Sequence, residues 1–172
     1  MGKIDLYRNV HKGQRARLFV LTVDIGRLDY TQPATVAGCM MRLRAMIDEL
    51  REHGVHEERF IHPLLHAHAP AVAEMLEADH ASFDQRLAEL EALAARLEAG
   101  VEPLEVGSEL YRTLCSTLSG YLAHLDYEET VAMPALWRAC TPDALGGVIL
   151  DFNASRGDAE RLHDLHAQIG AL

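Results

Sequence analysis

The chain has 172 residues, 49% of them hydrophobic, 24% charged and 6% aromatic, which is enough apolar material for a packed core and excludes a disordered or fibrous protein. Its 16 Lys and Arg against 26 Asp and Glu leave a formal charge of −10, a sign that disfavours a phosphate backbone, so no nucleic-acid partner is expected. No apolar run reaches the length of a membrane span and no leader-like stretch opens the chain, so a cytoplasmic protein without a membrane partner is expected.

Strand signals are missing: β-branched residues are sparse and no apolar/polar alternation is sustained. The breaks fall at Thr31-Gln32-Pro33, over 63–70, over 100–103 and at Thr141-Pro142. They predict four long helices near 4–30, 34–62, 70–99 and 104–133, then short helices near 142–153 and 156–169. Thr35 and Thr141 are expected N-caps, and Pro142 suits a first helical turn. The 63–70 stretch reads as a loop carrying His62, His66 and His68 on the surface. At ordinary domain sizes one domain is expected over 1–172, a bundle over about 4–135 with a C-terminal helical extension over about 141–170. That extension is expected either to cap the bundle or to form the face of a homodimer.

Stepping by threes and fours gives one seam per long helix. The first carries Tyr7, His11, Gln14, Leu18, Leu21 and Ile25. The second carries Val36, Cys39, Leu43, Met46, Leu50, His53 and Glu57. The third carries Ala73, Leu76, His80, Phe83, Leu87 and Leu90, and the fourth Leu110, Leu114, Thr117, Tyr121, His124 and Glu128. Seams of this period face the inside of a bundle, and short connections make the neighbours antiparallel. The expected fold is therefore all-α, an up-down-up-down four-helix bundle.

Six seam residues are metal-ligand types: His11, His53, Glu57, His80, His124 and Glu128. Ionisable groups on a core seam are costly unless paired or bound to a metal. Counting from the turns near 32 and 101 puts the four histidines about 30 Å from those turns at ~1.5 Å of rise per residue, and counting from the turn near 67 brings Glu57 level with His80, so all six converge at one level. An internal repeat accompanies them. His53-Gly-Val-His-Glu57-Glu58 and His124-Leu-Asp-Tyr-Glu128-Glu129 both continue, after four residues, into Pro-x-Leu. His and Glu at i, i+4 project from one helix face and can reach one centre. Four imidazoles and two carboxylates suit two metal ions, iron first, with manganese or zinc as substitutes. Glu58 and Glu129 are expected to orient ligand histidines, and Tyr7 and Tyr121 either fill the core or hydrogen-bond a ligand at the metal. His56 is expected on the surface or beside Glu58, with a fifth-ligand role as the alternative.

The two H-x3-E-E-x4-P repeats, with lone His11 and His80 on the other two helices, resemble the hemerythrin HHE cation-binding domain over about residues 5–140. The resemblance implies a non-haem di-iron centre, with His11, His53, His80 and His124 as terminal ligands and Glu57 and Glu128 bridging. It implies binding or sensing of O2, NO or iron. Oxygen-carrying members have a fifth histidine one turn from the one on the third helix, where this chain has Leu76 and Asp84. The set is closer to the four-His, two-Glu sites of iron-centre-repair proteins, so fast oxidation in air is expected in place of oxygen carriage. An enzyme of oxidase, peroxidase or iron-centre-repair type is the alternative, and no catalytic residue is assigned.

Overall fold

The computed structural model describes residues 3–155. Its elements are α1 (Arg8–Gly26), α2 (Pro33–Phe60), α3 (His62–His68), α4 (Pro70–Glu98), α5 (Pro103–Tyr127), a π-helical segment (Glu128–Ala132), α6 (Met133–Ala139) and α7 (Pro142–Ser155). Among the described residues there is no strand. The four long helices touch around a closed ring, α1 on α2, α2 on α4, α4 on α5 and α5 on α1. The protein is an all-α bundle, as the periodicity predicts.

Proline explains the punctuation. Every one of the 6 prolines lies in the first two residues of a helix, where its fixed φ suits the helical turn and its missing N–H costs nothing. This corrects two expectations. Pro63 does not open a loop over 63–70; it starts α3, which packs on α4 and buries His62 at 1% exposure. Thr35 is not an N-cap, because Pro33 begins the helix and the Thr35 hydroxyl donates back to the Gln32 carbonyl at 3.0 Å. Thr141 does cap, its hydroxyl accepting the Ala144 N–H at 3.2 Å. The first helix starts later than predicted because the Asp5 carboxylate accepts the Tyr7 and Arg8 N–H groups at 3.1 and 3.0 Å and ends the preceding turn. The predicted helix near 156–169, with His163 and His166, lies outside the described residues.

The buried apolar residues form two clusters. One, built on Leu18, Leu21, Leu43, Leu87, Leu90 and Leu114, fills the long arm of the bundle. The other, built on Tyr7, Leu65, Leu76, Met133 and Leu136, fills the opposite end beneath α3, α6 and α7. The polar seam residues lie between them.

Close packing at the far end of the long arm depends on glycine. A Cβ on Gly107 would overlap Cγ of Tyr30, the root of the ring, so the whole ring must move. Tyr30 is also tied down, its hydroxyl donating to the Ile25 carbonyl at 2.9 Å. Gly107→Ala is therefore expected to lower stability by about 1–3 kcal/mol despite the better helix propensity of alanine, as urea denaturation would measure.

Candidate metal centre

His11 comes from α1, His53 and Glu57 from α2, His80 from α4 and His124 from α5, while Glu128 opens the π-helical segment. The structure brings all six together. They form two sets of four, His11, His53, Glu57 and Glu128, and Glu57, His80, His124 and Glu128, each offering ligand atoms within 4.8 Å of one another. Both carboxylates belong to both sets. Glu57 turns Oε1 to His53 Nε2 at 3.0 Å and to His11 Nε2 at 3.6 Å, and Oε2 to His80 Nε2 at 3.4 Å. Glu128 turns Oε2 to His11 Nε2 at 3.4 Å and Oε1 to His124 Nε2 at 3.4 Å. Each glutamate thus presents one oxygen to each histidine pair.

The inward atoms lack hydrogen-bond partners. Buried and unpartnered are Nε2 of His11, His53 and His124 and both carboxylate oxygens of Glu57 and Glu128. Buried polar groups in native proteins are satisfied almost without exception, so a cluster of this kind calls for something that accepts lone pairs from all of them. A metal ion does so, and the donor set fits one.

The outward histidine nitrogens are held instead. His11 Nδ1 lies 3.0 Å from Glu129 Oε1, which Arg15 also engages at 2.6 Å. His80 Nδ1 lies 3.0 Å from Glu58 Oε1, and His124 Nδ1 lies 3.2 Å from Asp79 Oδ2. A carboxylate can only accept, so each of these Nδ1 atoms donates, which leaves Nε2 as the atom turned inward and available to a metal. The expectation for Glu58 and Glu129 matches this geometry.

The two central glutamates titrate in opposite directions. Burial works to raise Glu57, but His53, His11 and His80 outweigh it and hold the carboxyl well below its usual range. Burial, then the charge of Glu57, pushes Glu128 well above. Without metal the pair therefore shares one proton, held on the Glu128 side. Burial lowers His124 to about 4, which leaves it neutral and ready to donate.

The family model of the hemerythrin HHE cation-binding domain matches residues 2–136. The chain belongs to this family. Among curated relatives, the iron-sulfur cluster repair protein YtfE of Musicola paradisiaca is 20% identical over 139 residues, covering 78% of this chain. That of Yersinia pseudotuberculosis is 22% identical over 143 residues, again covering 78% of this chain. The chain spans 63% of the length of these relatives.

A cavity of about 380 Å³ opens onto the centre of this hemerythrin-like domain, with His53, His80 and His124 on its floor and Leu50, Phe83 and Tyr121 on its walls. Asp84 lines it, while Leu76 is fully buried in the apolar cluster on the other side. His56 stands apart from both four-residue sets, its ring 5.0 Å from that of Phe152. Three features escaped the sequence reading. Asp79 holds His124, and its only signal was an acid next to a candidate ligand. His62, expected on the surface, is buried and stacks on His80 at 5.2 Å and 18°. The π-helical turn at Glu128–Ala132 left no compositional trace, although such turns favour functional sites.

Proposed function

We propose that this chain binds a non-haem di-iron centre, with His11 and His53 on one ion, His80 and His124 on the other, and Glu57 and Glu128 bridging. We read the chain as one domain whose centre binds or senses O2 or NO. The observation that carries the reading is the sharing of both glutamates between two four-residue sets, together with the unpartnered inward atoms of His11, His53, His124, Glu57 and Glu128. Manganese or zinc could replace iron in such a mixed imidazole and carboxylate set. When bound, the iron supplies reversible one-electron chemistry and open positions for a small ligand.

The protein's own groups prepare the site. Glu129, Glu58 and Asp79 fix the tautomers and ring directions of His11, His80 and His124. The cavity that reaches the centre is lined by apolar Leu50, Phe83 and Leu87 and by charged Arg51, Glu58 and Asp84, so a small ligand has a path to the histidines. To hold a metal, Glu128 would have to give up the proton that burial and the charge of Glu57 favour, since a ligating carboxylate is ionised.

Metal analysis of protein from iron-replete cells tests the reading. About two irons per chain are expected, one of them lost in His53→Ala and both in Glu128→Ala. Protein that stays metal-free and takes up no iron in vitro refutes it. A linked expectation concerns pH. Uptake should release at least the shared carboxyl proton, so affinity should fall as the pH falls. Titrating metal-free protein with ferrous ion in weak buffer containing a pH indicator measures this directly.

A second reading is favoured by the relatives, whose names say that they repair iron-sulfur clusters. It predicts that iron-loaded protein restores activity to an enzyme with a damaged cluster and that the Glu128→Ala variant does not. A binding or sensing protein gives one stoichiometric spectral change with NO and no restoration.

A further inference from the structure

Two tyrosine hydroxyls are buried beside the centre, and they differ in one respect. Tyr121 donates to Gln14 Oε1 at 3.1 Å, whereas Tyr7 is fully buried and its hydroxyl has no partner. The ring of Tyr7 lies 5.3 Å from that of His11. Tyr7 precedes His11 by one helical turn as Glu57 follows His53 by one, and in antiparallel helices those steps run to the same level. The phenol therefore stands at the height of the carboxylates. Tyr7 belongs to the apolar cluster built with Leu65, Leu76 and Leu136, whose side chains offer no acceptor.

The internal repeat removes a packing explanation for the hydroxyl. His11 corresponds to His80 in the second half of the repeat, so the counterpart of Tyr7 is Leu76, one turn before His80 and equally buried. A leucine fills the equivalent slot. The oxygen of Tyr7 is an addition to one half of the site, and a buried donor without an acceptor is a cost that packing does not repay.

We propose that the Tyr7 hydroxyl is a hydrogen-bond donor to a small ligand held at the centre through an oxygen or nitrogen atom bearing a lone pair. This rests on the metal reading above. It makes the two halves of the repeat chemically unequal, with a donor on the His11 side and an apolar residue on the His80 side. A bond from a buried phenol would strengthen retention of the ligand and make its vibrations sensitive to exchange of the phenolic proton.

The test compares wild type with Tyr7→Phe, using NO as probe on the reduced, iron-loaded proteins. Iron content should be equal. The N–O stretching band should move in the variant, and NO should leave about tenfold faster. In D2O the wild-type band should shift and the variant band should not. The metal-free variant should melt at the same temperature as wild type or higher. Equal iron with identical bands and release rates overturns the proposal alone. A lower melting temperature for the metal-free variant would reveal a protein partner for the hydroxyl and overturn it too. Wild type that takes up no iron overturns both this and the metal reading.

Discussion

Glu57→Gln and Glu128→Gln are expected to abolish iron binding alike and to affect the metal-free fold in opposite degrees. Each glutamate contributes an oxygen to both four-residue sets, so losing either carboxylate weakens both metal positions at once. His80→Ala touches one set and should keep about one iron per chain. Without metal the two residues are not equivalent. Glu128 is held protonated by burial and by the charge of Glu57, so a neutral amide of the same shape changes little there. Urea denaturation of metal-free Glu128→Gln should lie within about 1 kcal/mol of wild type. Glu57 is the buried anion facing His53, His11 and His80, and its loss strips their shared partner. Metal-free Glu57→Gln should lose about 3 kcal/mol, the usual consequence of removing one member of a buried charge pair. Equal stability of the two metal-free variants would show that the shared proton is not partitioned as described.

The bundle was legible because its signal is redundant. Leu18, Leu43, Leu87 and Leu114 each recur in a seam that runs the length of a helix, and all are buried. The six candidate ligands were legible for a related reason: a polar residue on such a seam breaks the pattern, and two of the breaks repeat in sequence. What stayed hidden depends on single atoms or on local backbone. Pro63 reads equally well as a breaker or as a helix start, and only the packing of α3 on α4 decides. His62 followed that error to the surface. Asp79 reaches His124 from the neighbouring helix, a contact that periodicity along one helix cannot reveal. The repeat even points away from it, since the corresponding position before His11 is Val10. The π-helical turn is one extra residue per turn over Glu128–Ala132, invisible to any count of threes and fours.

Stripping the metal is expected to lower the melting temperature by about 15–30 °C and to leave the helices in place. A ligand that binds only the folded chain stabilises it by RT ln(1 + [L]/Kd), about 4 kcal/mol per ion at a thousandfold excess over Kd. Two ions give about 8 kcal/mol, and a chain of this size gains roughly 2–4 °C per kcal/mol. The physical source is the set of buried, unpartnered donors at the junction of the two apolar clusters, which burden the metal-free state and are satisfied in the loaded one. Collapse of the stripped protein is not expected. The long-arm cluster runs from Leu18 and Leu43 to Leu114 and meets the candidate ligands at its inner end, where Tyr121 and Phe83 lie beside His124, so most of its apolar contacts are made without them. Circular dichroism of chelator-treated protein should keep its helical signal at 25 °C while calorimetry records the lower transition, and readdition of ferrous ion should restore it. An unchanged transition would mean that the six residues bind no metal in the folded chain. A random-coil spectrum would mean that the apolar clusters cannot sustain the bundle and that the metal is its structural core. In that second case the cavity over His53, His80 and His124 becomes the discriminating feature. A metal that served only the fold would have little use for a path to solvent, and NO admitted through it would still mark the centre as one built to meet a ligand.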